Sequence, residues 1–259
     1  MAGSLKSTSE SSTLILTLSN PEFKNALGPE IYAAGIEALN AAENNPEIRS
    51  VVIAGEGAVF CAGGNLQRLQ NNRREAPEVQ AQSIEGLHNW IDSIRTYPKP
   101  VIAAVEGAAA GAGFSLTLAC DFVVAADNAI FVMSYSTVAL SPDGGGSWSL
   151  ARALPRALAS ELLMCGERIS AQRLHDFGLV NRVTAAGDAL GQALQLAGQL
   201  NARAPNALAS IKELIGEAPV STLSQQLASE RDHFVRNLHH ANGGEGIAAF
   251  LEKRAPQYR

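Results

Sequence analysis

Two glycine-rich loops hold the residues of this chain whose types and spacing could do chemistry. One is Phe60-Cys61-Ala62-Gly63-Gly64-Asn65; the other is Glu106-Gly107-Ala108-Ala109-Ala110-Gly111-Ala112-Gly113-Phe114. Small residues let a backbone approach a ligand closely, and the second loop opens a helix whose first N–H groups have no partner within it. Two such N–H groups aimed at one carbonyl oxygen form an oxyanion hole. The same glycines also fit plain packing. Neither loop has the Walker spacing for phosphate or a dinucleotide G-x-G-x-x-G fingerprint. Asp143, in Ser141-Pro142-Asp143-Gly144-Gly145-Gly146-Ser147-Trp148, could supply a carboxylate beside such a hole. It also reads as a turn aspartate or the N-cap of a helix beginning near Ser149. His88 falls on the apolar stripe of a helix, where a working imidazole and a satisfied core histidine are both open. Cys61 has no base adjacent in sequence and is not assigned as a nucleophile.

The elements that must position these residues alternate. Thr13–Leu18, Val51–Ala54, Val101–Val105 and Phe122–Ala125 are apolar or β-branched runs of strand length, and the middle two read as buried on both faces. Helical spacing runs from Pro29 to Glu43, from about Pro77 to Arg95, and from Phe114 to Ala119. This alternation predicts an α/β architecture. After about Gln199 the pattern becomes helical only, over 201–216, 221–238 and 246–253.

Composition narrows the class. Of 259 residues, 46% are hydrophobic and 17% charged, enough apolar material for a core and too little charge for disorder. Lys plus Arg number 20 against 25 Asp plus Glu, which argues against nucleic-acid binding through a broad basic face. The basic run Arg68 to Arg74 reads as a solvated helix face. Three scattered cysteines make neither a disulfide framework nor a zinc site, and no His or carboxylate spacing suggests a metal. The Ser-rich residues 1–12 read as a flexible leader without a secretory core, and the apolar stretch 101–126 is interrupted by Glu106 and Asp121, so no membrane span is expected. The expected setting is cytoplasmic.

Order and spacing across several motifs resemble the crotonase, or enoyl-CoA hydratase/isomerase, superfamily. The matching stretches are Asn25-Ala26-Leu27, Phe60 to Asn65, Lys99-Pro100-Val101-Ile102-Ala103-Ala104-Val105-Glu106-Gly107, Gly111-Ala112-Gly113, Cys120-Asp121, Gly178 to Val183, and Phe250-Leu251-Glu252-Lys253-Arg254. The resemblance implies a spiral of strand–strand–helix units over 1–198, a helical oligomerisation region over 199–259, and a homotrimer or dimer of trimers. It implies an acyl-coenzyme A thioester as substrate, with no cofactor beyond the coenzyme A that the substrate carries. The thioester oxygen would be held by the N–H groups of Gly64 and Ala112. Lys24, Ala26, Ala62, Asn65, Leu66 and Lys253 match positions bordering coenzyme A, and Phe114, Tyr135 and Trp148 match the acyl pocket.

The chain departs from the hydratase pattern where two glutamates stand in that family: those places hold Ser115 and Tyr135. Neither replaces a carboxylate as general base. Some isomerases and the 4-chlorobenzoyl-CoA dehalogenases of the family have their working aspartate at the position of Asp143, and the dehalogenase branch has a histidine at the position of His88. The first expectation is therefore enoyl-CoA double-bond isomerisation by a single aspartate. The alternatives are an enoyl-CoA hydratase, a hydrolase or dehalogenase acting on an aromatic or ring-derived thioester, and a binding module without catalysis.

Overall fold

A computed structural model describes residues 3–259. In chain order the elements are β1 (Ser4–Glu10), β2 (Thr13–Ser19), α1 (Pro29–Glu43), β3 (Ser50–Gly55), α2 (Leu66–Asn72), α3 (Pro77–Thr96), β4 (Val101–Val105), β5 (Ala108–Ala110), α4 (Ala112–Ala119), β6 (Phe122–Ala126) and β7 (Ile130–Val132). There follow α5 (Gly146–Ala153), α6 (Arg156–Ser160), β8 (Arg168–Ser170), α7 (Ala171–Asp176), β9 (Arg182–Thr184), α8 (Ala189–Asn201), α9 (Pro205–Glu217), α10 (Leu223–Leu238) and α11 (Ala241–Glu252).

The apolar runs become the middle of a six-stranded sheet of order β1-β2-β3-β4-β6-β9, parallel from β2 onward. Because residues alternate faces along a strand, Val51, Ile53, Val101, Ala103 and Val105 point into the main core, which also takes in Ile31, Leu39, Leu87, Trp90 and Ile94 of α1 and α3. Val52, Ala54, Ile102, Ala104 and Val124 face the other way, onto Ala193, Leu196 and Ala197 of α8. A second sheet, β5-β7-β8, forms a smaller layer, and isolated parallel bridges Cys61↔Ala109 and Leu27↔Gly64 extend it. The chain thus repeats one unit: a strand in the large sheet, a short extended piece in the small layer, then a helix. It does so as β2–Leu27–α1, β3–Cys61–α2, β4–β5–α4 and β6–β7–α5. This is the expected spiral.

The leader is a correction. From Ser4 it is ordered strand: β1 pairs antiparallel with β2 from Ser4↔Ser19 to Glu10↔Thr13, while residues 1 and 2 lie outside those described. Its polar composition hides it because most of its side chains face water and its stabilisation comes from the backbone ladder that β2 offers. The expected division after residue 198 falls inside α8, which packs on β3, β4 and β6. Beyond it, α9 is tied down where Lys212 Nζ donates to Asp121 Oδ2 (2.7 Å) and to the Ile94 carbonyl (2.9 Å). The outer faces of α9 to α11 leave Ile215, Leu223, Phe234, Phe250 and Leu251 largely exposed. Among the described residues, no helix is long and apolar enough to cross a membrane, and no cluster of His, Cys, Asp and Glu is placed to hold a metal.

Candidate active site

The two glycine loops meet because they hydrogen-bond in parallel. Phe60 N–H donates to Glu106 O (2.8 Å), Cys61 N–H to Ala108 O (3.0 Å), and Ala110 N–H returns to Cys61 O (2.9 Å). The next turn of the spiral joins in through Leu27 N–H to Gly63 O (2.7 Å). Gly63 sits at φ +90°, and a Cβ there would lie 2.7 Å from the Ala110 carbonyl oxygen. Only glycine allows this approach. It brings Gly64 and Ala112, the first residue of α4, onto the wall of one cavity of about 370 Å³. Neither N–H donates to a protein acceptor among the described residues. Two unused donors on one wall are what an oxyanion requires.

Asp143 reaches the same cavity on the loop ahead of α5. Ser115 Oγ donates to the Asp143 carbonyl (2.9 Å), and Gly146 N–H donates to the same oxygen (3.2 Å). The loop closes this tightly because a Cβ on Gly146 would lie 2.7 Å from Ser115 Oγ and from Met133 Cε. Ser115 thus helps fix the aspartate-bearing loop, and its short side chain leaves room for it. The Tyr135 hydroxyl donates to Asp143 Oδ1 at 2.6 Å. Burial, with the adjacent Asp143 charge and that bond, pushes the phenol far above its ordinary range, so it remains a donor. Oδ2 accepts no hydrogen bond from the described residues, and Asp143 lines the cavity. Among the described residues lining that cavity, Asp143 is the single carboxylate.

The other expected site residues divide. Ala62, Leu66, His88 and Tyr135 line the cavity with Gly64, Ala112 and Asp143. His88 is half-exposed, 4.0 Å from Glu85 on its own helix, and is neither a core histidine nor bonded to Asp143. Phe114 is off the cavity wall: it is fully buried and packs on Phe131 with centroids 5.0 Å apart. Trp148 also lies off it, stacked under the guanidinium groups of Arg152 (4.1 Å) and Arg95 (4.6 Å). Asn65 spends its side chain capping α2, accepting from Arg68 N–H at 3.1 Å. Lys24 is exposed at φ +50°, and its carbonyl accepts from Ala62 N–H (3.0 Å), which supports the first loop from behind. Ala26 is buried, with its carbonyl bonded to Asn20 Nδ2 (3.2 Å). Lys253 ends α11, remote from the cavity lining of its own chain.

Sequence reasoning missed Tyr32, Arg68, Gln80 and Ser83, all on the cavity wall. Arg68 was expected on a solvated face. It turns inward because the Asn65 cap starts α2 directly after Gly64, so the third residue of the helix points back over the loop. The one available signal was the N-cap spacing of Asn65 to Arg68. Tyr32 carries the helical apolar spacing of α1 and reads as core; burial pushes its hydroxyl up to about 12 against the opposing influence of Arg68.

Cys61 is fully buried, its Sγ accepting from Gly63 N–H (3.3 Å), and burial pushes its thiol up to about 12. At mildly alkaline pH, iodoacetamide is expected to label exposed Cys165 and spare Cys61, as read by peptide mass spectrometry on the folded protein. Rapid labelling of Cys61 would contradict this packing of the first loop.

Spiral, paired loops and carboxylate together define a class. Residues 8–259 match the family described as "Enoyl-CoA hydratase/isomerase", and the chain belongs to that family, an enzyme of the crotonase superfamily. It is 38% identical over 251 residues to the 1,2-epoxyphenylacetyl-CoA isomerase of Escherichia coli (strain K12), covering 96% of this chain and 95% of that one. It is 34% identical to the 2,3-dehydroadipyl-CoA hydratase of the same organism, covering 95% and 94%. Among solved structures, an enoyl-CoA hydratase from Polaromonas sp. JS666 is 89% identical, with a TM-score of 0.99 over 99% of this chain and 100% of that chain.

Proposed function

We propose that this enzyme moves the double bond of an enoyl-CoA thioester, with Asp143 as its one acid and base. Asp143 Oδ2 takes a proton from the carbon next to the thioester carbonyl of a 3-enoyl-CoA. The C–H electron pair becomes the new carbon–carbon π bond, and the displaced carbonyl π pair settles on the thioester oxygen. The N–H groups of Gly64 and Ala112 hold the resulting dienolate oxygen, each such donor being worth about 2.7–4 kcal/mol. Return of the proton to the far allylic carbon gives the 2-enoyl-CoA. Tyr135, donating to Oδ1, keeps the other oxygen free for the transfer. The observation that carries this reading is the single carboxylate on a wall that also presents two unused backbone donors. Ala62 and Leu66 flank the entering thioester arm, and Lys24 stands outside the first loop toward coenzyme A.

A second reading is hydration, favoured by the hydratase names of the 89% identical structure and of the dehydroadipyl-CoA relative. A screen over 2-enoyl, 3-enoyl and aromatic CoA thioesters separates the readings. Isomerisation leaves the mass unchanged and shifts the vinyl proton signals. Hydration adds one water, and hydrolysis by Asp143 with His88 releases either free coenzyme A or halide. Binding of all thioesters with conversion of none would leave a binding module and sink the catalytic proposal.

We further infer that α9 to α11 form the contact between copies of this chain in a trimer or a dimer of trimers. The support is the exposed apolar series Ile215, Leu223, Phe234, Phe250 and Leu251 on these helices. Light scattering is expected to give three or six times the 27.2 kDa chain mass; a species of one chain mass would overturn the assignment. The three free cysteines suit a cytoplasmic setting.

A further inference from the structure

The cavity holds a cation that has no carboxylate partner among the described residues. Arg68 lines it from the first turn of α2, next to the oxyanion loop. Its Nε is buried without a hydrogen-bond partner, and no carboxylate pairs with the guanidinium among the described residues. The sole acid on the same wall, Asp143, is engaged by Tyr135. An unpaired buried donor on a charged group is costly, and an acceptor brought by a ligand removes that cost.

The neighbours of Arg68 are donors as well. Gln80 Oε1 accepts from Asn72 Nδ2 at 2.7 Å, so its amide N–H groups are what remain for the cavity. Ser83 presents a hydroxyl one turn further along α3, ahead of the apolar Ile84 and Leu87. The wall therefore runs from an apolar stretch to a cluster of donors around one guanidinium. A planar, forked donor set of this kind suits a carboxylate.

We propose that the acyl group taken by this site carries a second carboxylate, remote from the thioester, which Arg68 reads with Gln80. Arg68 is then a specificity-determining residue, and the substrate class is a CoA thioester of a dicarboxylic acid. This rests on the acyl-CoA reading above and adds the chemistry of the acyl end to it. Arg68 lines the same cavity as Tyr32, Asp143 and the two oxyanion loops, which sets it toward the reacting end of the site. The phosphates of coenzyme A lie at the far end of the pantetheine arm.

The test uses unreactive thioether analogues of an acyl-CoA, one ending in a carboxylate and one in a methyl group of equal chain length, with binding measured by calorimetry. The wild-type protein is expected to bind the carboxylate analogue about 10-fold or more tightly than the methyl one. Arg68→Met should erase that preference and leave the methyl analogue and free coenzyme A within about 2-fold, while Arg68→Lys should keep part of it. Equal wild-type affinities would overturn the proposal. So would a loss in Arg68→Met shared by free coenzyme A, which would assign the guanidinium to phosphate, or a parallel loss of both analogues, which would make it structural. These analogues undergo no reaction, so the outcome does not depend on whether Asp143 is the base.

Discussion

Replacing Asp143 by Asn is expected to lower kcat by about 1,000-fold or more, the scale of a lost general base acting in both proton transfers. Asparagine keeps the size of the side chain and an oxygen for the Tyr135 hydroxyl, and the backbone carbonyl that Ser115 and Gly146 hold is untouched. The folded structure and affinity for an unreactive thioether analogue should therefore stay within about 2-fold of wild type, since only the proton-accepting atom is removed. Following 3-enoyl-CoA conversion by proton NMR gives the rate, and calorimetry gives the binding. Retained turnover would remove Asp143 from the mechanism. A loss confined to binding would make it a positioning group.

Replacing Gly63 by Ala is expected to cost about 100- to 1,000-fold in kcat, the loss seen when an oxyanion donor is displaced. Two penalties fall on this residue. An L side chain at φ +90° is strained by about 1–3 kcal/mol. The new methyl would also lie 2.7 Å from the Ala110 carbonyl, pushing apart the two loops whose contact aims Gly64 and Ala112. Gly57→Ala separates these effects. Gly57 has a similar left-handed φ of +76° but open space around its Cβ position, so it should lose stability and keep its kcat. Equal kcat losses in both variants, measured beside their melting temperatures, would show that strain alone accounts for the result.

Much of this site was legible because its parts follow strands that announce themselves. Val51 to Ala54 and Val101 to Val105 are unbroken apolar runs, and the glycine loops directly after them point to backbone chemistry before any side chain is considered. Asp143 was legible only through the family resemblance, since an aspartate before glycines is also an ordinary turn. The tertiary contacts that give it meaning, from Ser115 and Tyr135, link residues 28 and 8 positions away in sequence. Phe114 and Trp148 were misplaced because an aromatic near a site has no sequence mark for which way it turns. Phe114 turned into the core and Trp148 toward two arginines. Arg68 hid in a basic run whose neighbours Arg73 and Arg74 lie beyond the cavity. The small strands β5, β7 and β8 span three residues each, too few for a period to register.

The antiparallel pairing of β1 bears on how the protein behaves in a crowded solution. An apolar parallel sheet ending at β2 would present Leu14, Ile15 and Leu16 beside a row of open backbone donors, a template for strands of other molecules. With β1 in place, the outermost row is serine, threonine, Lys6 and Glu10, its one apolar residue, Leu5, packs against the core, and Lys6 is also pinned to Glu56. The polar edge gives lateral stacking little hydrophobic reward, so the segment that read as a flexible leader acts as a guard against aggregation.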